Sequence, residues 1–582
     1  MAKIDEHALE REKHRRERQA RTARYASQSS PVLVLLVVLA TAGIIGYAWF
    51  LLRPGARGDL LPYSLVIIAE GILITQALFS MWTILSGGQN PRDYAYYAAQ
   101  RELFPTGSAH TRMRMNRRKV RVDVFITCYG EDVHKIRATA TAARAMTGEH
   151  RTWILDDGRS DEVRDLANEL DVNYVRRLSS GGAKAGNINH ALTIAKGEFF
   201  VVLDADFVPR PEFLVETLPF MVDDTVAFVQ TPQTYGNLDT IIARGAAYMQ
   251  AVFYRFVQPG RNRFNAAFCV GTNVLFRRSA VESVGGIYTG SKSEDVWTSL
   301  LLHERGWRSV YIPEVLATGD APDSVEGYSK QQLRWAMGGF EILFTSFPFS
   351  PRRKLTMDQR LQYFVTATFY LTGICPLLLL LVPPLEIYFD LRPISLDMSV
   401  GQWAFFYAGF YLMQVLLAWF VMGSFRWETL TLATASFPIY TKALWNVITG
   451  KDVGWHVTGS GGTARSPLNF MIPQVLFFFF LLLTTFVAII RDLDNGVFTL
   501  ATAWNGLNTA VLALFITAAL RDARPRGRRA LPMSTAAVGE ETRPETLVVA
   551  RPPAPELTTL HTPTPEPATD RPTREAEEVP VP

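Results

Sequence analysis

Cysteine is nearly absent from this chain. Its 582 residues include three, Cys128, Cys269 and Cys375, far apart and odd in number. No CxxC and no Cys/His cluster occurs, which excludes a disulfide framework and a cysteine-based zinc site and fits a reducing compartment. Net charge is small as well, +4 at pH 7, with the basic excess in the first 24 residues and at Arg521–Arg529. No basic stripe runs through the part expected to fold, so nucleic acid is not an expected partner. There is no internal repeat. Hydrophobic residues at 48% and charged residues at 20% lie near soluble averages, so composition alone hides what its distribution reveals.

That distribution shows long apolar runs at two ends of a polar middle. Pro31–Leu52 and Leu61–Leu85 are each long enough to span a bilayer as a helix. The length of the first, and the second close behind it, point to an anchor and not a signal peptide. Lys3, Arg11, Lys13, Arg15, Arg16, Arg18, Arg21 and Arg24 precede the first run, which places the N-terminus inside and the short link Arg53–Asp59 outside. Further candidate spans are Leu361–Tyr388, Trp403–Met422, Pro467–Ile490 and Val497–Leu520. Two early and four late spans return both termini to the inside. Phe340–Phe349 and Trp427–Val447 are aromatic-rich but broken by polar residues; they read as interface segments lying on the membrane or as loops with exposed aromatics. The proline-rich stretch 521–582 cannot bury enough apolar surface to fold alone.

From Lys119 the pattern alternates. Strands are expected at Val120–Thr127, Thr152–Leu155, Phe199–Leu203 and Val226–Gln230, and helices at Val133–Met146, Asp161–Leu170 and Lys184–Ala195. Such alternation argues for a parallel sheet covered on both faces, with ligands beyond the carboxyl ends of its strands.

Acidic residues fall at those ends. Asp156-Asp157-Gly158 closes one strand, where turn chemistry alone favours Asp and Gly. Asp204-Ala205-Asp206 closes another. Two carboxylates there suit a hard divalent cation that also grips a diphosphate, or merely cap a loop. Ser293-Glu294-Asp295 precedes the helical pattern Val296–His303; Asp295 is either a helix cap or a general base. In Gln331-Gln332-Leu333-Arg334-Trp335, the arginine suits a diphosphate and the indole a sugar face, or the segment is an ordinary amphipathic helix edge.

Taken in order, these motifs resemble the processive family 2 glycosyltransferases: bacterial cellulose synthase catalytic subunits, with hyaluronan, chitin, curdlan and mixed-linkage glucan synthases as cousins. The resemblance also covers Ala183-Lys184-Ala185-Gly186-Asn187, Gln230-Thr231-Pro232 and Phe268-Cys269-Val270-Gly271-Thr272, and runs from about residue 120 to 345. It implies an α/β GT-A (Rossmann-like) cytosolic domain inserted into an α-helical membrane domain of about six transmembrane helices. The expected divisions are a basic N-terminus 1–30, two spans in 31–86, the transferase domain 87–345, four spans with interface helices and a gating-like loop in 346–520, and the tail 521–582.

The resemblance further implies an inverting mechanism. Asp156 and Asp157 would bind the nucleotide. Asp204 and Asp206 would position Mg2+ or Mn2+ and the diphosphate. Lys184 and Arg334 would stabilise leaving UDP, and Asp295 would be the base. Cys269, Gly271, Thr272, Glu294, Gln331 and Trp335 would meet the acceptor. Implied partners are a UDP-sugar, a growing polysaccharide, the lipid bilayer and a cell-envelope accessory subunit. The implied reaction is transfer from UDP-glucose to a β-1,4-glucan that is then extruded across a bacterial plasma membrane.

Several residues depart from the family pattern. Trp455–Gly461 resembles the gating loop but has Ser460 where a lysine is usual; Gln233 replaces the usual histidine after Gln-Thr-Pro; Ser293 replaces threonine. Arg524 and Arg528 match RxxxR in spacing, yet no strand-rich pattern follows, so no cyclic-di-GMP-sensing PilZ barrel is expected. The product therefore stays open to β-1,3 or mixed-linkage glucan, hyaluronan-like or chitin-like polymer. A non-processive lipid-linked transferase and an inactive scaffold or transporter are the rival readings.

Overall fold

The computed structural model describes residues 30–87, 90–395, 400–422, 427–451 and 467–522. Seven strands make the central sheet: β1 (Val122–Cys128), β2 (Arg151–Asp156), β3 (Asn173–Val175), β4 (Phe199–Asp204), β5 (Val226–Gln230), β6 (Val274–Arg277) and β7 (Arg308–Tyr311). Their spatial order is β7-β5-β6-β4-β1-β2-β3. All neighbours run parallel except β6, which is antiparallel to both β4 and β5. This mostly parallel sheet is the GT-A arrangement that the motifs imply.

Alternation along each strand builds two cores. Val122, Val124 and Ile126 of β1 join Ile154, Val201 and Leu203 under Ile136 and Ala140 on one face. Phe125, Leu155, Phe200 and Val202 join Ile188 and Ala191 on the other. The expected strand Val226–Gln230 matches β5, and the other expected elements shift by a few residues at their ends. β3, β6 and β7 carry no expectation from sequence: three or four residues are too short for a periodic signal. The flanking helices begin where a side chain can take a free amide. Asp132 accepts from His134 N at 2.9 Å ahead of Val133–Arg144, and Ser160 caps Asp161–Glu169.

Five described helical stretches are long and apolar enough to cross a membrane: Pro31–Leu52, Leu60–Ser86, Met357–Phe389, Ile472–Asn495 and Leu500–Asp522. The third is interrupted by a 3₁₀ turn at Phe369–Gly373, just before Pro376. The expected span at Trp403–Met422 forms a helix, Val400–Met422, with several side chains outside the described residues. It packs on the first helix through aromatic pairs, Tyr47–Phe410 at 5.0 Å and Phe50–Phe406 at 4.9 Å. Phe340–Phe349 is no separate segment: its first half completes a helix running Val325–Thr345, with Phe340 buried and Phe344 exposed. Trp427–Val447 divides into Trp427–Ala435 and Phe437–Ile448. The sheet domain is joined to the membrane helices by side chains as well as by chain. His303 Nδ1 meets Tyr363 Oη at 2.8 Å, and Gln359 Nε2 donates to Asn265 O at 2.9 Å.

Candidate active site

Beyond the carboxyl ends of β1, β2, β4 and β5 lies a cavity of about 500 Å3. Its wall collects Asp157, Lys184, Asp204, Asp206, Gly271, Glu294, Asp295, Gln331, Arg334 and Trp335. The segments that carry them are distant in sequence; the strand order brings them to one edge.

Asp156 and Asp157 part company although adjacent. Asp156 turns inward, 1% exposed. Its carboxylate accepts from Arg159 N (2.9 Å), Ser160 N (2.8 Å) and Tyr174 Oη (2.8 Å), which shapes the loop and leaves Asp156 off the cavity wall. Asp157 takes both arms of Arg177, Nε to Oδ1 at 2.6 Å and Nη2 to Oδ2 at 2.5 Å. Arg177 also donates to the carbonyls of Gly181 (2.6 Å) and Ala183 (2.7 Å). This fixes the start of the helix Ala183–Ile194 and thereby Lys184, its second residue.

Lys184 reaches across to β4. Its Nζ pairs with Asp204 Oδ1 and donates to Gly271 O at 2.7 Å. Asp204 N donates to Thr272 Oγ1 at 2.9 Å. Thr272 is fully buried, so it holds Asp204 from behind and does not face the cavity. Cys269 is likewise buried. Its thiol donates to Asp295 O at 3.1 Å and accepts from Ser299 Oγ at 3.2 Å, so it lies beneath the site. Val270 and Gly271 are the residues of that segment that reach the wall.

Asp295 sits in the first turn of the helix Glu294–Glu304. It is not the cap residue; Ser293 occupies that position without a capping bond. Asp295 Oδ1 accepts from Val296 N at 2.8 Å, and a Cβ on Gly271 would stand 3.4 Å from Oδ2. Burial, reinforced by the Glu294 charge, pushes Asp295 up to about 7. Burial also raises Glu294, opposed by Lys184 and Arg334. A carboxylate poised near neutrality is suited to take a proton.

Burial and the Asp204 and Asp320 charges push Asp206 up to about 7. Asp204 and Asp206 offer hard oxygen donors on a wall with more carboxylates than cations. A divalent ion there offsets the charge that burial penalises, so the pair fits Mg2+ or Mn2+. Among the described residues no group of three or more His, Cys, Asp or Glu is arranged to hold a metal alone, consistent with a diphosphate completing the ligand set.

Glu131, Lys135, Gln233 and Asp320 also line the cavity. Glu131 had a sequence signal, an acid just past a strand end. Lys135 and Asp320 had none, because only the fold brings them together. The loop Trp455–Gly461 and the pair Arg524 and Arg528 lie outside the described residues.

A family model described as glycosyl transferase family group 2 matches residues 199–490. The cellulose synthase catalytic subunit [UDP-forming] of Xanthomonas axonopodis pv. citri (strain 306) is 35% identical over 265 residues, 44% of this chain and 36% of that protein. Cellulose synthase 1 catalytic subunit [UDP-forming] of Komagataeibacter xylinus is 30% identical over 293 residues, 49% of this chain and 39% of that protein. The chain thus spans little more than a third of the length of these curated relatives. Among solved structures, a mannosyltransferase from Pyrobaculum calidifontis in complex with GDP-Man and Mn2+ aligns with a TM-score of 0.43 at 16% identity, over 66% of this chain and all of that one. With half its length matched by the family model, this chain belongs to glycosyl transferase family group 2.

Proposed function

We propose that the protein is a membrane-embedded, processive, inverting transferase that moves glucose from UDP-glucose to the end of a growing β-1,4-glucan and passes the polymer through its helices. The observation that carries this reading is the convergence of Asp204, Lys184, Asp295 and the Arg334–Trp335 pair on one cavity. The similarity to UDP-forming cellulose synthases supports the choice of donor and linkage. We further propose that the transferase domain (87–345) and both termini lie in the cytosol of a bacterial cell, with the long apolar helices in its plasma membrane.

In this mechanism the acceptor hydroxyl gives its proton to Asp295 as its oxygen bonds to the anomeric carbon. The bond from that carbon to the diphosphate breaks on the opposite side, and UDP leaves with the electron pair. Attack from behind converts an α-linked donor into a β-linked product without a covalent sugar–enzyme intermediate. Lys184 and Arg334 balance the charge that grows on the leaving phosphate. Asp204 and Asp206 would hold the divalent ion, which when bound neutralises part of that charge. Asp157 with Arg177 shapes the nucleotide end, and Trp335 offers its ring to a sugar face. Holding donor and acceptor in line supplies much of the rate.

The test is UDP release by the purified chain in nanodiscs with Mg2+ or Mn2+, offered UDP-glucose, UDP-N-acetylglucosamine and UDP-glucuronate separately. Release with UDP-glucose supports the reading. Release with another donor alone redirects it to a chitin-like or hyaluronan-like product. No release with any donor favours the scaffold.

A further inference from the structure

Lys135 lies outside every motif, yet two independent anchors carry it to Asp206. It stands on the helix Val133–Arg144 one turn before Thr139, so the two share a helix face. Thr139 Oγ1 donates at 2.8 Å to the carbonyl of Ala205, the residue between the two motif aspartates. From the other side comes Asp320. A short antiparallel ribbon pairs Ala317 with Pro209 and Thr318 with Val208, immediately after Asp206 and Phe207. A Cβ on Gly319 would stand 2.6 Å from the Phe207 ring, so only glycine permits this approach. Lys135 Nζ and Asp320 Oδ2 then meet at 2.6 Å on the cavity wall, with side chains 49% and 35% exposed.

We infer that Lys135 is a further diphosphate-binding cation beside Lys184 and Arg334, and that Asp320 is its built-in competitor. The inference rests on the nucleotide-sugar reading above. A diphosphate held at Asp204 and Asp206 lies within the reach of an ammonium one helical turn from Thr139, whose hydroxyl holds Ala205. Lys135 exchanges Asp320 for a phosphate oxygen when the donor binds, and the ion pair re-forms as UDP departs. Asp320 thereby weakens the hold on UDP and keeps product release from becoming slow. An exposed ion pair of this kind is weak enough to be exchanged.

The two partners make opposite predictions, which separates this role from a structural brace. Isothermal titration of UDP into the full chain in nanodiscs with Mg2+ gives the affinity directly. Lys135→Met weakens UDP binding about tenfold, as loss of one charge-assisted hydrogen bond does, and Lys135→Arg retains most of it. Asp320→Asn tightens UDP binding about twofold to fivefold, the worth of one exposed ion pair. Weakening by both Lys135→Met and Asp320→Asn would mark a brace and overturn the inference. So would an effect of Lys135→Met on UDP-glucuronate but not on UDP, which would mean that Lys135 reads a sugar carboxylate. Wild type that fails to bind UDP takes down the transferase reading and this inference together; wild type that binds, with both variants unchanged, overturns the inference alone.

Discussion

Gly338 and Ser293 touch without a side chain's width between them: a Cβ on Gly338 would stand 1.9 Å from Ser293 Oγ and 2.3 Å from its Cβ. Gly338 belongs to the helix that carries Gln331, Arg334 and Trp335, and Ser293 precedes Asp295, the proposed base. The contact therefore sets the distance between Arg334 and Asp295, the proposed leaving-group cation and base. Gly338→Ala forces the two apart. It should cost about 1–3 kcal/mol of stability, as overpacking does, and reduce turnover. Adding Ser293→Gly should restore both, measured as melting temperature and UDP release.

Asp295→Asn removes the proton acceptor and leaves the diphosphate ligands in place. Turnover should fall about 10²-fold to 10⁴-fold. UDP affinity, measured by titration, should stay within a few-fold of wild type. Loss of affinity in proportion to turnover would instead make Asp295 a binding residue.

The same carboxyl sets a pH dependence. Its acid form is held up to about 7 by burial and Glu294, and only the deprotonated form can accept the hydroxyl proton. Turnover should therefore rise with pH, about tenfold per unit below about 7, and level off above it. Saturating donor and constant ionic strength isolate this limb. A flat profile between pH 5.5 and about 7 would contradict the assigned base.

Divalent metal should be required through Asp204 and Asp206. Chelation should abolish UDP release, and Mn2+ or Mg2+ should restore it. Asp206→Asn should weaken Mn2+ binding read by electron paramagnetic resonance in the presence of UDP.

His303 ties the base helix to the membrane domain. Its ring meets Tyr363 Oη at 2.8 Å and Ser309 Oγ at 2.9 Å while fully buried, and burial lowers its pKa to about 3. The imidazole is therefore neutral. Tyr363→Phe strands one ring nitrogen and should cost about 1–2 kcal/mol, seen as a lower melting temperature.

Much of this architecture is legible in sequence because strong local patterns agree with the final packing. The apolar runs before residue 86 and after residue 355 become helices close to their expected limits, and the strand ends carry the acids to one edge. What sequence misses depends on neighbours that only the fold supplies. Asp156 and Asp157 are equivalent on paper, but Tyr174 draws one inward and Arg177 holds the other at the wall. Cys269 and Thr272 belong to a motif assigned to the acceptor, yet the bend at Gly271, whose φ is +82°, leaves both in the core and Val270 and Gly271 facing the cavity. Lys135 and Asp320 are 185 positions apart and become visible only as a pair.

The most direct test of the central claim is the fate of labelled sugar. UDP-[14C]glucose is given to wild type and to Asp295→Asn in nanodiscs with Mg2+, and ethanol-insoluble material is digested with an endo-β-1,4-glucanase. The account predicts insoluble label from wild type alone, released by the glucanase. UDP binding without insoluble label, or a polymer that resists the β-1,4-specific enzyme, would contradict it.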